Sequence, residues 1–280
     1  MKQEVVFMLE EMKKTFEGMF ASTINGLLEL YKQDVPLGVT IISKEELVDV
    51  GRVVHLTGEG SVEIDLLSGS PGRVSEEFGM IFDWYFRSKD AYQDTLKGIL
   101  VRNLVELLKR THEGRLQVRD MSNTIKNERN LKAVLEMVKE KKEFGNIVRF
   151  FEREILDNES RTAKEALETL YIELEMLNKA LGVQEDPLDI RKHFEKGGVL
   201  NIVVGEESLF KAPTIVDVLA HFSVLKIQNA ILNDYDKPFE VPHFVFIENY
   251  AKYKNPDMEF IIRHEMYHHR IKGVSFNYTI

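Results

Sequence analysis

The amino-terminal part of the chain carries apolar residues at helical spacing. Between residues 3 and 32 they recur every three or four positions, which places them on one face of a helix. These positions are Val5, Val6, Leu9, Met12, Phe16, Met19, Phe20, Ile24, Leu27, Leu28 and Tyr31. The pattern predicts one long helix or two helices that abut at Gly26. A methionine and phenylalanine stripe can also fill a partner-binding groove, but its spacing favours core packing.

The period changes between residues 36 and 69, where short apolar runs alternate with turn residues. Gly38–Ser43 and Ser61–Leu67 predict two strands, and residues 57–60 and 69–72 predict turns. The glycines of these turns match neither the phosphate-binding pattern GxxxxGK[ST] nor the dinucleotide-binding pattern GxGxxG. We therefore interpret both segments as turns without a nucleotide signature.

Residues 73–181 are predicted to be helical almost throughout, with breaks that include Gly114 and residues 157–160. Lysines and arginines between residues 126 and 142 alternate with glutamates at helical pairing distances. This balance of charge favours a solvated, salt-bridged face over a nucleic-acid surface.

A second unit is predicted to follow residues 196–198, where a lysine and two glycines interrupt the pattern. Strands and helices alternate in it, and the predicted elements are Val199–Val204, Thr214–Asn233, His243–Glu248, residues 256–272 and Val274–Ile280. The sequence thus predicts a predominantly helical α+β protein. Residues 1–198 form a helix-rich domain with a small β insertion at 36–69, and residues 199–280 form a smaller α+β domain.

Composition narrows the class of protein. The 280 residues are 44% hydrophobic and 30% charged, which describes an ordinary globular protein and excludes disordered and collagen-like chains. A net charge of −9 argues against a general nucleic-acid binder. The absence of cysteine from the sequence removes disulfides, thiolate metal sites and cysteine nucleophiles. Charges interrupt every apolar run of residues 1–14, so we predict neither a signal peptide nor a membrane span and expect a cytoplasmic protein.

The most specific chemical signal is a group of three side chains on the helix predicted at residues 256–272. Because each helical residue turns roughly 100°, His264 and His268 lie about 40° apart on one face and can bind one metal ion. Glu265 lies beside that face, where it can reach a water molecule held by the metal, in the position of a general base.

The pattern His264-Glu265-x-x-His268 resembles the HExxH signature of the zincin metallopeptidases. The resemblance implies a zinc ion bound by His264 and His268, a water molecule activated by Glu265, and a peptide or protein substrate. It also implies that residues 199–280 form a zincin-like α/β unit that carries the HExxH helix. On this interpretation the protein is a zinc-dependent hydrolase and most specifically a metallopeptidase.

The third protein ligand that usually follows the zincin motif has no counterpart here, since residues 270–280 contain no histidine, aspartate or glutamate. Several candidates remain open: His221, Asp234, Asp236, His243, Glu248, His269, water, or a ligand from a second chain. Of the other histidines, we expect His55, His112 and His193 at the surface. His221, within an apolar run, is expected to be a hydrogen-bonded core residue.

A second interpretation belongs to a different functional class. The missing downstream ligand favours a non-catalytic, helical interaction or assembly protein whose HExxH motif is structural or degenerate. Such a protein would bind a second copy of itself or another protein. The helix-start signal at residues 255–257, by contrast, favours the hydrolase, because it fixes the three motif residues within a regular helix.

Overall fold

In the computed structural model, most of the apolar segments that predict strands form neighbouring strands of one sheet. The structure describes residues 18–57, 62–88, 90–158, 160–182, 185–205, 214–233, 241–248, 252–253 and 274–278. Five strands are found in these ranges: β1 (Gly38–Ser43), β2 (Arg52–His55), β3 (Gly198–Val203), β4 (His243–Ile247) and β5 (Val274–Tyr278).

The five strands form one parallel sheet in the order β2-β3-β1-β4-β5. Strand β1 is central, with Gly38 opposite Gly198 of β3 on one side and His243 of β4 on the other. All six residues of β1 are buried, which is typical of a parallel strand covered on both faces.

Alternate residues of β1 point into two different layers. Val39 and Ile41 pack with Ile24 and Leu28 of helix α1, which is helical from residue 18 to residue 32. Thr40 points to the opposite face and contacts helix α8 (Ile190–Lys196) through a hydrogen bond. Because side chains alternate across a strand, this arrangement places helices on both faces of the sheet.

The segment between β2 and β3 is mainly helical. Besides α8, its described α-helices are α2 (Pro71–Tyr85), α3 (Ala91–Thr111), α4 (Val118–Ile125), α5 (Glu128–Val138), α6 (Gly145–Phe150) and α7 (Arg161–Leu181). A 3₁₀ turn at Lys142–Phe144 precedes α6, and a π-helical segment at Phe151–Leu156 follows it. Helix α9 (Ile215–Asn233) lies between β3 and β4 in the sequence.

Contacts divide the chain into two units. The sheet unit consists of the described residues within 1–56, 189–209 and 226–280, and the helical unit of those within 57–188 and 210–225. The boundary falls inside α9. Among the described residues, Ile215–Leu232 of that helix has the length and apolarity of a membrane span, but 78% of it is buried within the protein, as in the core helix of a soluble protein.

The predominantly helical α+β class predicted from the sequence is confirmed, but the zincin-like unit is not. Strand β1 lies between β3 and β4, so the strands of residues 199–280 do not form a sheet of their own. The strand predicted at Ser61–Leu67 is also wrong, since within its described residues only Ile64 forms a β-bridge, to Leu188. Strand β2 was not predicted.

A buried ion pair joins two helices of the helical unit. The Nζ atom of Lys97 in α3 lies 2.7 Å from Oε1 of Glu173 in α7 and also donates to the carbonyl of Phe86. The two residues are almost completely buried, at 2% and 7% exposure. Burial raises the pKa of Glu173 to about 7, although the hydrogen bond and charge of Lys97 act in the opposite direction.

The raised pKa makes the stability of the helical unit depend on pH. Glu173 binds its proton more tightly in the folded than in the unfolded protein, so its contribution to stability is greatest at low pH. That contribution is lost as the pH rises from the ordinary glutamate value of 4.5 to about 7. Above this range the carboxylate is charged, and Lys97 is its neutralising partner.

We predict that Lys97→Met lowers the free energy of unfolding of the helical unit by about 3–5 kcal/mol above pH 7, because it leaves a buried carboxylate without its cation. The loss should be smaller near pH 5, where Glu173 can take up a proton. Thermal denaturation followed by circular dichroism at both pH values measures the difference. The exposed pair Arg161–Glu165 provides the control, and Arg161→Met should leave the midpoint nearly unchanged at either pH. An equal loss at the two pH values would contradict the role given to Glu173.

Candidate functional site

The connections between strands lead from the centre of the sheet in opposite directions. After β1 the chain continues to β2 and then β3 on one side of β1, whereas β4 and β5 lie on the other side. In open parallel sheets a crevice forms at the carboxyl ends of the strands where the connections diverge, and ligands bind in that crevice. By this rule we expect a crevice between the carboxyl ends of β1 and β4.

Glu248 stands at this crevice, directly after the last residue of β4. Its backbone N–H donates to the carbonyl of Ile42 at 2.9 Å, which continues the pairing with β1. Its Oε2 atom accepts a hydrogen bond of 2.8 Å from the backbone N–H of Lys44, the first residue after β1. The half-buried carboxylate is therefore held where the two strands end.

Asn201 of β3 holds the same loop from the other side. Its amide is fully buried and donates to Ser43 Oγ at 2.8 Å and to the carbonyl of Ile41 at 3.4 Å. Its Oδ1 accepts from the backbone N–H of Leu47 at 2.8 Å. The loop at residues 44–47 is thus fixed by a side chain from each neighbouring strand, Asn201 from β3 and Glu248 from β4.

Helix α1 reaches the same edge of the sheet. Phe20, near the first described turn of the helix, packs edge-on against Phe246, with ring centroids 5.2 Å apart and ring planes at 87°. Since α1 ends at residue 32 and β1 begins at Gly38, the helix runs antiparallel to the strand and directs its amino-terminal side towards the carboxyl edge.

A group of aromatic and histidine side chains occupies the opposite, amino edge. His243 Nε2 lies 2.9 Å from Thr40 Oγ1, and His193 Nε2 lies 3.0 Å from the same oxygen. Phe194 stacks on the His243 ring at 3.9 Å. Gly38 is required beside this ring, because a Cβ at residue 38 would lie 2.1 Å from His243 Nδ1.

Burial keeps both histidines of this group neutral. It lowers the pKa of His243 to about 3, with a further contribution from His193, and lowers the pKa of His193 itself to about 4. His193, expected at the surface, is half-buried, with its ring in contact with Thr40. His243 and Glu248, both considered as third zinc ligands, lie at opposite ends of β4.

The remaining described histidines agree with the sequence analysis. His221 is buried in the helical unit, where its Nδ1 lies 3.1 Å from the hydroxyl of Tyr85 and its ring stacks on Trp84 at 4.5 Å. Burial lowers its pKa to about 4. His55 and His112 are exposed, and each has a carboxylate within 4 Å, Glu46 and Asp120 respectively.

The residues predicted to form a zinc site, His264, Glu265 and His268, lie outside the described residues, as do Asp234, Asp236 and His269. Within the part of the chain that is described, no three histidine, aspartate or glutamate side chains are grouped so that they could hold a metal ion.

Comparison with known proteins identifies the fold. No family model matches the sequence, and no curated protein matches it. Among solved structures the chain is similar to the bacterial conjugative coupling protein TrwBΔN70 in an unbound monoclinic form, with a TM-score of 0.55 and 13% identity over 92% of this chain and 58% of that one.

Two further similar structures contain nucleotides. One is the plasmid coupling protein TrwB with the ATP analogue ADPNP, with a TM-score of 0.54, 12% identity, and coverage of 92% of this chain and 59% of that one. The other is TrwB with ADP and Mg²⁺, with a TM-score of 0.53, 14% identity, and coverage of 87% and 57%. The chain spans less than two thirds of the length of these structures. At such identities the likeness shows the fold and not the activity.

This likeness overturns the metallopeptidase interpretation. The described residues have a fold similar to that of the coupling protein TrwB, so the zincin family, the zinc-dependent hydrolase function and zinc as its cofactor were wrong inferences. The physical reason is that HExxH fixes only three positions of one helix turn, which a helix in an unrelated fold can also carry. The similarity to TrwB extends over 92% of this chain and therefore carries more information about the fold than one short motif.

Proposed function

We propose that this chain is the part of a coupling-protein-like molecule that has a nucleotide-binding fold. In this proposal, a nucleotide with Mg²⁺ binds in the crevice between β1 and β4. The observation that carries the proposal is the position of Glu248, whose carboxylate lies at the point where the strand connections diverge. The similar structures hold ADPNP in one case and ADP with Mg²⁺ in another.

The chemistry of the crevice fits a magnesium ion. Mg²⁺ prefers oxygen ligands and is usually bound through one or two carboxylates, several waters and the phosphates of the substrate. Glu248 is the described carboxylate in this position and would face the ion or one of its waters. The ion, when bound, neutralises charge on the phosphates. Asn201 would act indirectly, by keeping the loop at residues 44–47 in place beneath the ligand.

The sequence limits the affinity for nucleotide that we expect of this chain. None of its glycines lies in a GxxxxGK[ST] loop, whose backbone N–H groups and lysine bind the phosphates in P-loop proteins. We therefore expect this chain to bind nucleotide more weakly than proteins that carry that loop, and to depend more on the carboxylate and the metal ion.

The similar structures are named coupling proteins, which supports the expectation of a protein partner or of a homo-oligomer. We include such a partner in the proposal and leave the peptide substrate out, since it belonged to the metallopeptidase interpretation. The acidic net charge of −9 continues to argue against a general nucleic-acid binder.

We predict that the protein binds a fluorescent ADP analogue saturably and only in the presence of Mg²⁺. Glu248→Gln should weaken this binding by about tenfold or more, because it removes the charge that faces the metal while the glutamine oxygen can still accept from Lys44. Fluorescence anisotropy titrations with and without Mg²⁺ measure both effects.

Glu195→Gln is the matched control for this experiment, since it removes the same charge from an exposed residue of α8, outside the loop at residues 44–47. It should leave the affinity unchanged. If the wild-type protein shows no saturable, Mg²⁺-dependent binding, or if the two variants weaken binding equally, the proposed site is wrong.

We also predict that Asn201→Ala lowers the free energy of unfolding of the sheet unit by about 2–4 kcal/mol, because it leaves Ser43 Oγ and the Leu47 N–H without their buried partner. Hydrogen exchange at residues 44–47 should become faster in the variant. Asn25→Ala, at an exposed position of α1, is the control and should change neither quantity. Unchanged exchange in Asn201→Ala would show that Asn201 does not hold the loop.

A further inference from the structure

The helical unit contains an open groove at the carboxyl end of α3, bordered by α4 and α5. We name it the α3–α5 groove, and its volume is about 470 Å³. All of its lining residues belong to the helical unit, and none of them is part of the proposed nucleotide site. The apolar part of its lining includes Leu108, Val134 and Met137. The polar part includes His112, Glu113 and Asp120.

The apolar side is unusual because of Met137. Its side chain is 67% exposed, more than the other exposed large hydrophobic residues described in the helical unit. Methionine is flexible and polarizable, so it adapts to apolar partners of different shapes and is common at peptide-binding surfaces. Val134 lies one helical turn before it on α5, so the two side chains share a face.

The polar part of the groove carries two carboxylates, Glu113 and Asp120. Asp120 caps the start of α4 by accepting from the backbone N–H of Gln117 at 2.8 Å, and it lies 3.8 Å from His112 Nε2. Glu113 is exposed beside it. The carboxyl end of the long helix α3 adds the negative end of its dipole.

The cations nearest in sequence to this helix end are directed to other partners. Lys109 donates to the carbonyl of Leu67 at 2.7 Å, and Arg110 pairs with Glu106. Among the described residues that line the groove there is no lysine or arginine. The surface therefore combines an apolar wall with a negative end, although lysines and arginines are frequent in the surrounding sequence.

We propose that the α3–α5 groove binds a segment of a partner protein in which arginine or lysine stands next to an apolar residue. The cation faces Glu113, Asp120 and the end of α3, and the apolar side chain packs on Met137 and Val134. Charge complementarity and the exposed methionine each favour this occupant over an acidic or a purely apolar one.

The test uses the full chain and a short fluorescein-labelled peptide of leucine, alanine and arginine. A second peptide with glutamate in place of each arginine serves as the charge-reversed probe. We expect the arginine peptide to bind saturably in fluorescence anisotropy and the glutamate peptide not to bind. Equal binding of the two peptides would overturn the proposal.

Matched variants locate the binding. Glu113→Gln and Met137→Ser should each weaken binding of the arginine peptide by about fivefold or more, the factor that corresponds to roughly 1 kcal/mol. Glu143→Gln and Met176→Ser change exposed residues of the same kinds outside the groove and should leave binding unchanged. Asp120 is left intact because it caps α4.

Two further results would overturn the proposal that the α3–α5 groove binds a peptide segment. Equal weakening by the groove variants and their controls would show that the acidic protein attracts the peptide without a defined site. Full displacement of the peptide by the polyamine spermine, together with no effect of Met137→Ser, would show a site for small cations instead of a peptide groove. Circular dichroism of each variant confirms that it is folded.

Discussion

The structure depends on the pairing of β1 with strands that are far from it in sequence. Gly38–Ser43 finds its neighbours at Gly198–Val203 and His243–Ile247, so a large loop must close before either pair of strands gains its hydrogen bonds. Burial of β1 on both faces offsets this entropic cost. The same pairing creates the crevice, because β3 and β4 meet the central strand from opposite sides.

The local pattern of apolar and polar residues was sufficient to predict most strands of the sheet unit. The runs that predicted β1, β3 and β4 contain consecutive apolar residues, the run that predicted β5 alternates apolar and polar residues, and the structure places a strand in each. Strand β2 has four residues and a half-exposed pattern, which is too short and too polar to stand out. Its position is decided by pairing with β3, and so are the order and direction of all five strands, which no local pattern contains.

The candidate site was less accessible to sequence reasoning. Glu248 was recognised as a suitable acid at the end of an apolar strand. Because of the HExxH match, however, it was interpreted as a candidate zinc ligand. A carboxylate directly after a buried strand was the more general signal. Asn201 and Lys44 could not be found in this way, because Asn201 matters through a hydrogen bond to Leu47 and Lys44 through its backbone. Both contacts follow from the register of neighbouring strands.

The connection between β2 and β3 has a consequence for biosynthesis. These strands pair directly, with His55 opposite Val203, yet the whole segment that contains α2 to α7 lies between them in the chain. On the ribosome this segment emerges before β3 and β4, and domains fold as units in the order of their synthesis. During synthesis β1 therefore remains with both edges unpaired, and unpaired strand edges favour aggregation. Until its partners are translated, we expect α1, which covers one face of β1, to be its main protection within the sheet unit.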